Sequence, residues 1–356
     1  MRDLRVLVVD DSAFNRKRIT EILETVEGVK IVGKAANGEE ALQMLSAVEP
    51  DLITLDLEMP KMDGFSFLRF VLARRPVPVI VVSSHSAKHN VFRALELGAL
   101  DFVAKPSAAP GEQLDEIRQD LIAKVEMVRS LEPLVPLESL GRRTVSTVLR
   151  AVPKDDTRPL PSQDTPQRVV VIVSSTGGPS ALVDVFAWFR SDTPIAVLVV
   201  QHMPARFTRT FAERLDRLGG LRVTEAVDGD RLRAGRALVC PGGKCVDVVR
   251  VRDGYAVRVG EPALEDRYVP SGDRALTTAA RACRRRTVAV VLTGMGDDGA
   301  EGVRAVAHEG GAVVVQSPED ALIDGMPRHA IRAAADVSAM PLRRIGEHLA
   351  RLTERD

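Results

Sequence analysis

A run of five consecutive β-branched residues, Val169 to Val173, constrains the fold of this chain more than any other stretch. The run is too short to span a membrane and is apolar on both faces, which is typical of a buried strand in a parallel sheet. Ser174-Ser175-Thr176, Gly177-Gly178 and Pro179 follow it, and proline suits a first helical turn. A serine at such a corner lies beside free N–H groups that can stabilise an oxyanion. A polar connection without chemistry is the alternative interpretation.

Buried strands alternate with helical patterns along most of the chain. Five such units fall before about residue 130 and predict a doubly wound parallel sheet. A second series begins at residue 168 and predicts another, with one antiparallel hairpin over residues 246–259. Asp253-Gly254 in that hairpin is typical of a type I′ turn. The predicted fold class is therefore α/β, with two doubly wound parallel-sheet domains.

The segment between the two series is rich in proline and has no periodic pattern. Such a composition cannot bury a core, so residues 126–167 are predicted to form an interdomain linker, in which 141–152 could form a short helix. A proline-rich docking peptide is the alternative. The predicted domains are residues 1–125 and 168–356.

Composition argues against several classes of function. Lys+Arg and Asp+Glu both number 49, and aromatic residues make up 4% of the chain, so neither a basic field nor stacking platforms favour nucleic acid as a partner. No apolar run reaches the ~18 residues of a membrane span, and Met1 leads into a strand without a signal peptide. The three cysteines have neither zinc-ligand nor disulfide-scaffold spacing. We therefore expect a cytoplasmic protein with reduced thiols and no membrane insertion.

Polar side chains follow four strands of the first domain, at the point where each strand ends: Asp10, Asp11, Asp56, Ser83 and Lys105. The carboxyl ends of parallel strands line the crevice where open α/β sheets bind ligands. Three crowded carboxylates repel one another unless a hard divalent cation or an ammonium group offsets their charge. The arrangement can hold Mg²⁺ and present Asp56 as a phosphate acceptor.

These residues stand in motifs that resemble the receiver domain of two-component response regulators, which has a flavodoxin-like fold. The motifs are Val-Val-Asp-Asp-Ser at 8–12, Leu-Asp-Leu-Glu-Met-Pro at 55–60, Val-Ser-Ser at 82–84 and Gly-Ala-Leu-Asp-Phe-Val-Ala-Lys-Pro at 98–106. The resemblance covers about 125 residues. It implies that a histidine kinase supplies a phosphoryl group to this domain.

The receiver resemblance also implies roles for single residues. Asp56 would be phosphorylated, and Mg²⁺ would be held by Asp10, Asp11, Asp56 and the Glu58 carbonyl. Ser83, Phe102 and Lys105 would form the switch, and the Lys105–Pro106 bond would be cis as in the family.

In the second domain, three reactive residue types follow strands that share one sheet edge: Ser175, His202 and Asp298, or its neighbour Asp297. Histidine there could accept the serine proton and return it to a leaving alkoxide, while an aspartate fixes its tautomer. A nucleotide-binding fold is disfavoured because no glycine-rich phosphate motif follows a strand.

Four motifs of this domain resemble the chemotaxis methylesterase family, CheB: Ser-Thr-Gly-Gly-Pro at 175–179, Gln-His-Met-Pro at 201–204, Leu-Thr-Gly-Met-Gly-Asp-Asp-Gly at 292–299 and Gly-Met-Pro-Arg at 325–328. By position, the family's triad falls on Ser175, His202 and Asp298, and Asp297 replaces the Asn common there. The family's oxyanion donors would be the backbone N–H groups of Thr176 and Met295. Val173 stands where the family usually has Gly, and its isopropyl group could narrow the approach to Ser175.

The resemblance implies hydrolysis of γ-glutamyl methyl esters on methylated chemoreceptors, with deamidation of receptor glutamines as a further activity. Mg²⁺ would serve phosphorylation only, and ester hydrolysis would need no cofactor. Phosphorylation of Asp56 would relieve a block that the receiver imposes on the triad. The alternative is a non-enzymatic response regulator whose second domain only binds a partner.

Overall fold

The protein is described by a computed structural model, which covers residues 3–84, 88–105, 113–130, 165–218 and 220–352. The chain divides into two compact units. Most of the predicted linker, the suggested helix within it, and the Lys105–Pro106 bond lie outside the described residues. The predicted domain bounds therefore remain a prediction, although the last helix of the first unit extends to Ser130.

The first unit contains a five-stranded parallel sheet in the order β2-β1-β3-β4-β5, which is the flavodoxin-like order. Its strands are β1 (Leu4–Val9), β2 (Val29–Ala35), β3 (Leu52–Leu55), β4 (Val79–Ser83) and β5 (Asp101–Ala104). Its helices are α1 (Ala13–Leu23), α2 (Gly38–Val48), α3 (Gly64–Arg74), α4 (Lys88–Leu97) and α5 (Gln113–Ser130). The helices α1, α2 and α3 begin where the side chains of Ser12, Asn37 and Asp63 accept a hydrogen bond from a backbone N–H of the first turn.

The second unit contains a seven-stranded parallel sheet in the order β15-β14-β13-β6-β7-β10-β8. The strands of this sheet are β6 (Arg168–Ser174), β7 (Ile195–Gln201), β8 (Arg222–Glu225), β10 (Arg236–Val239), β13 (Thr287–Val291), β14 (Ala312–Gln316) and β15 (Ser338–Met340). The helices are α6 (Gly178–Phe186), α7 (Ala205–Asp216), α8 (Gly272–Cys283), α9 (Ala300–His308), α10 (Gly325–Ala333) and α11 (Leu342–Arg351), and a 3₁₀ turn spans Arg284–Arg286.

The β-branched run forms the central strand of this sheet. Residues 169–173 are fully buried, since β6 pairs with β13 on one side and β7 on the other and helix α8 packs against it. The strand order reverses at β6, and a crevice outside the carboxyl ends of the strands is expected at such a switch point. The central position of β6 therefore places Ser175 at the crevice.

A three-stranded antiparallel sheet completes the second unit, formed by β11 (Cys245–Val251), β12 (Gly254–Gly260) and the short β9 (Arg231–Leu232). The predicted hairpin is confirmed, but its turn is not type I′. The connecting residues are Arg252 and Asp253, and neither has the positive φ that type I′ requires. Gly254 instead adopts the left-handed region, with φ 120°.

Residues 325–327, part of the motif Gly-Met-Pro-Arg, form the first turn of α10. Pro327 is tolerated there because the first N–H groups of a helix have no partner within the helix. Among the described helices, none has the length and apolar character needed to cross a membrane.

Candidate active site

Ser175 and His202 lie side by side because their strands are paired in register. Ser174 pairs with Gln201 at the ends of β6 and β7, and Ser175 and His202 are the next residues of each strand. The His202 N–H donates to the Ser174 carbonyl at 3.0 Å, which extends the pairing to the histidine. Gly177, with φ 77°, then turns the chain into α6.

Gln201 ties the two neighbouring residues together. Its side-chain Nε2 donates to the carbonyls of Ser175 at 2.9 Å and His202 at 3.0 Å, and its Oε1 accepts from the Ser174 hydroxyl at 2.7 Å. Ser174 is fully buried and its hydroxyl is engaged, whereas Ser175 is half-buried. Ser175 is therefore the serine available to a substrate.

The side chain of Asp298 contacts the imidazole ring of His202 at Nε2. His202 Nε2 lies 2.7 Å from Asp298 Oδ2, which leaves Nδ1 as the ring nitrogen available to a serine proton. The Asp298 carboxylate is fully buried and also accepts from the backbone N–H groups of Gly272 at 2.7 Å, Asp273 at 2.9 Å and Gly299 at 3.1 Å. Gly272 and Asp273 begin α8, whose N-terminal dipole favours a negative charge.

Asp297 makes different contacts. It accepts from the Tyr268 hydroxyl at 2.8 Å and from Arg267 Nη1 at 3.1 Å, and these two hydrogen bonds hold the pKa of the Asp297 carboxyl below its usual range. The structure thus brings Asp298, and not Asp297, against His202.

The loop after β13 lies against Ser175, where the sequence predicts an oxyanion site. The Ser175 N–H donates to the Thr293 carbonyl at 3.1 Å, and the Thr293 hydroxyl donates to the Thr176 carbonyl at 3.0 Å. Gly294 permits this approach, because a Cβ there would lie 2.8 Å from the Ser175 Cβ. Met295 is the next residue of the loop and is exposed.

The expectation that Val173 narrows the approach to Ser175 is wrong. Its side chain is fully buried in the core of the second unit. The isopropyl group packs beneath the start of α8, where a Cβ on Gly272 would lie only 2.3 Å from Val173 Cγ1. Because the Val173 side chain has no exposed surface, it cannot narrow the approach of a substrate to Ser175.

Cysteine chemistry is disfavoured at this site. Cys240, Cys245 and Cys283 are free and buried. Burial raises the pKa of Cys245 to about 11 and that of Cys283 to about 12, so these thiols stay protonated and unreactive at neutral pH.

A second cluster lies at the carboxyl edge of the first sheet. One ligand atom from each of Asp10, Asp11 and Asp56 lies within 4.8 Å of the others. Lys105 Nζ lies 2.8 Å from Asp10 Oδ2 and 2.5 Å from Asp56 Oδ2. Burial raises the pKa of the Asp56 carboxyl, and the Lys105 ammonium offsets only part of that effect. The Glu58 N–H donates to Asp56 Oδ1 at 3.3 Å.

The remaining predicted switch residues are Ser83 and Phe102, which lie on the neighbouring strands β4 and β5. Ser83 ends β4, and its buried hydroxyl has no hydrogen-bond partner in the part of the chain that the structure describes. Phe102 is buried on β5, with its ring edge-to-face against Phe92 at 6.4 Å between centroids. The Lys124 ammonium lies 5.3 Å from the centre of the Phe102 ring. An unpartnered buried hydroxyl beside three carboxylates suits a group that supplies oxygen acceptors, such as a phosphoryl group.

Comparison with known proteins identifies the family. The family model for the CheB methylesterase matches residues 170–349, and that for the response regulator receiver domain matches residues 6–117. The chain belongs to the CheB methylesterase family. A relative from Geobacter sulfurreducens, named protein-glutamate methylesterase/protein-glutamine glutaminase 3, is 46% identical over 93% of this chain and 92% of its own length.

Other members of the CheB family give the same result. A Myxococcus xanthus relative, named protein-glutamate methylesterase/protein-glutamine glutaminase 1, is 42% identical over 99% of this chain and 98% of its own length. The crystal structure of the Thermotoga maritima CheB methylesterase catalytic domain is 34% identical, with a TM-score of 0.50, and covers 52% of this chain and 98% of that domain. The predicted fold class, α/β with parallel sheets, is thus confirmed.

Three residues of this CheB-family site were missed in the sequence. Gln201 had a weak signal, because it stands directly before the histidine at a strand end. Gly272 and Tyr268 had none, since they lie far from the motifs in a segment without a recognisable pattern. Only the folded chain brings Gly272 to Asp298 and Tyr268 to His202.

Proposed function

We propose that this chain hydrolyses γ-methyl esters of glutamate side chains in chemoreceptor proteins, and that it also deamidates glutamine side chains. The observation that carries this proposal is the contact of His202 Nε2 with the buried Asp298 carboxylate. The same histidine lies beside Ser175, because the residues that precede them, Gln201 and Ser174, are paired in the sheet. The names of the full-length relatives support the same pair of reactions.

Ser175 is the nucleophile in this proposal. Its Oγ attacks the ester carbonyl carbon while His202 Nδ1 takes the hydroxyl proton. The negative charge moves to the carbonyl oxygen, which the backbone N–H groups of Thr176 and Met295 would stabilise. When the intermediate collapses, His202 returns the proton to the methoxide and methanol departs. The glutamyl group remains bound to Ser175 as an ester.

The second half of the reaction uses the same groups. His202 takes a proton from water, which attacks the glutamyl ester, and the Ser175 oxygen leaves as a hydroxyl when it receives that proton. The product is the free glutamate carboxylate. A glutamine side chain follows the same course, with ammonia leaving in place of methanol.

Asp298 has a supporting role throughout. Each proton transfer creates an imidazolium, and a carboxylate 2.7 Å from Nε2 both fixes the tautomer and stabilises that charge. Three backbone N–H groups hold the carboxylate in place, so it needs no rearrangement during the reaction.

The receiver unit is proposed to accept a phosphoryl group on Asp56 from a histidine kinase. The clustered oxygens fit a hard divalent cation, and Mg²⁺ would be held by Asp10, Asp11, Asp56 and the Glu58 carbonyl. When bound, Mg²⁺ would neutralise charge on the phosphoryl oxygens. Lys105 and the Ser83 hydroxyl would bind the added phosphoryl group, and Phe102 would respond to it. The reaction is placed in the cytoplasm, where free buried thiols remain reduced.

Methanol release from a methylated receptor, measured with and without a phosphodonor and Mg²⁺, tests this function. We expect release without phosphodonor and a higher rate with it. A fluorophosphonate probe should label the protein at Ser175. A chain that binds receptor but shows neither methanol release nor labelling would instead be the non-enzymatic regulator.

A further inference from the structure

Tyr268 covers one face of the His202 ring. The two rings are stacked, with 5.3 Å between their centroids and 9° between their planes. Tyr268 lies in the segment between β12 and α8 and is half-buried. None of the chemistry described above uses it.

The phenol of Tyr268 is anchored at its hydroxyl. It donates to Asp297 Oδ1 at 2.8 Å, and Asp297 is held in turn by Arg267 Nη1 at 3.1 Å. The Arg267 guanidinium also lies 5.6 Å from the centre of the Tyr268 ring. A Cβ on Gly296 would lie 2.4 Å from the Tyr268 oxygen, so the loop closes tightly around the phenol.

Two adjacent carboxylates therefore reach one histidine by different routes. Asp298 contacts the edge of the ring at Nε2, and Asp297 acts on the face of the ring through Tyr268. A single hydrogen bond at Nε2 leaves the imidazole able to tilt about that bond. A flat, anchored surface against its face removes this freedom.

We propose that Tyr268 is a positioning residue for His202, held in place by Asp297. The inference rests on the proposed function, because it assumes that His202 is the base. The stack keeps Nδ1 directed at Ser175, and the electron-rich face of the phenol attracts the imidazolium formed during proton transfer. Both effects act on the chemical step and neither binds the substrate.

The test compares Tyr268→Phe with Tyr268→Leu in the full-length protein. Phenylalanine keeps the ring and loses the anchor, so kcat should fall about 2-fold to 5-fold. Leucine also loses the stack, and kcat should fall about 10-fold to 100-fold, because a misplacement of a reacting group by about 1 Å can cost about 10²-fold in rate. KM should stay within about 2-fold for both variants, since kcat alone falls when a transition-state interaction is removed.

Asp297→Ala supplies an independent check on the anchor. It should lower kcat as much as Tyr268→Phe does, and the double variant should be no slower than either single variant, because both remove the same hydrogen bond. Additive losses would mean that Asp297 acts on the reaction by a route other than Tyr268.

Tyr255→Leu is the matched control for a general loss of structure. Tyr255 is buried on β12 in the same unit, away from His202. This variant should melt at a lower temperature but keep its kcat per folded molecule. If Tyr268→Leu lost activity only in proportion to its loss of folded protein, the positioning role would be refuted.

Two further outcomes separate this inference from the proposed function. A rise in KM at unchanged kcat would make Tyr268 a substrate contact and overturn the inference while the function stands. The rate of fluorophosphonate labelling at Ser175 should also fall in Tyr268→Leu, and this measurement needs no protein substrate. A wild-type protein without labelling or hydrolysis would refute the function, and the inference with it.

Discussion

The two parallel sheets of this chain both carry acidic residues at their carboxyl edges, but the edges differ in how their charges are balanced. At the receiver edge, Asp10 and Asp56 share the single ammonium of Lys105, and Asp11 is exposed. At the hydrolase edge, Asp298 contacts one histidine and accepts from three backbone N–H groups.

This difference in charge balance suits the receiver edge to switching and the hydrolase edge to catalysis. A cluster with incomplete charge balance changes state when a cation or phosphoryl group arrives, because the added group supplies what the fold does not. A carboxylate that the fold already balances keeps its geometry during each turnover, as preorganised electrostatic stabilisation requires. The same sheet architecture thus supports regulation in one unit and hydrolysis in the other.

The largest expected effect comes from removing the proposed nucleophile. Ser175→Ala should lower methanol release by several orders of magnitude, since a lost triad member typically costs about 10⁴-fold to 10⁶-fold. Phosphorylation of Asp56 should be unchanged, which would show that the two edges are chemically independent.

Ser174→Ala is the matched control for that variant. It removes the hydroxyl that donates to Gln201 Oε1, so we expect a loss of about 10-fold at most from a less rigid Gln201. If Ser174→Ala were the inactive variant and Ser175→Ala were active, the assignment of the nucleophile would be reversed.

Asp298→Asn should have the next largest effect, about 10³-fold to 10⁴-fold in kcat, because an amide no longer stabilises the imidazolium. The variant should remain folded, as judged by circular dichroism. Asp297→Asn should lose no more than about 5-fold, since an amide oxygen still accepts from Tyr268. Equal losses from the two substitutions would contradict the separation of their roles.

Removal of the receiver should have a moderate effect in the opposite direction. A fragment lacking residues 1–166 should release methanol about 5-fold to 150-fold faster than the unphosphorylated full-length chain, the range of a coupling free energy of about 1–3 kcal/mol. The fragment should ignore the phosphodonor, and full-length Asp56→Asn should stay at the low rate. A folded fragment that is no faster would mean that the phosphorylated receiver activates the hydrolase directly.

The smallest effect is on stability and concerns Asp273, a carboxyl of the hydrolase unit whose pKa is raised by burial, as is that of Asp56 in the receiver unit. Burial raises the pKa of Asp273 to about 6, with the Asp298 charge adding to the shift. A raised carboxyl pKa favours the protonated folded state, so its contribution to stability declines as pH rises from about 4 to 6.

Asp273→Asn should therefore raise the free energy of unfolding at pH 7 by an amount on the order of 1 kcal/mol, allowing for solvent screening. The melting temperature should rise accordingly. The Asn side-chain oxygen can still accept from the Gly302 N–H, now 2.8 Å from Asp273 Oδ1. The difference from wild type should shrink as pH falls from 7 to 5. A difference independent of pH would show that charge at Asp273 is not its cause.

The elements that depend on local pattern could be predicted from the sequence. The β-branched run at 169–173 forms part of the buried strand β6 as predicted, because such a run specifies a strand without reference to the rest of the fold. The predicted type I′ turn in the hairpin was wrong, since neighbouring contacts decide which residue takes the left-handed conformation.

The candidate site divides in the same way. Motif spacing alone placed Ser175 and His202 after buried strands, because residues that follow parallel strands share one sheet edge. The resemblance to the family motif favoured Asp298 over Asp297, and the structure brings Asp298 to His202. Only the tertiary structure showed that Val173 is buried against Gly272 and that Tyr268 stacks on His202. These contacts join segments that are distant in sequence, and their geometry depends on how α8 and the loop after β13 pack. Strand ends follow from local chemistry, whereas the direction in which each side chain finds a partner follows from packing.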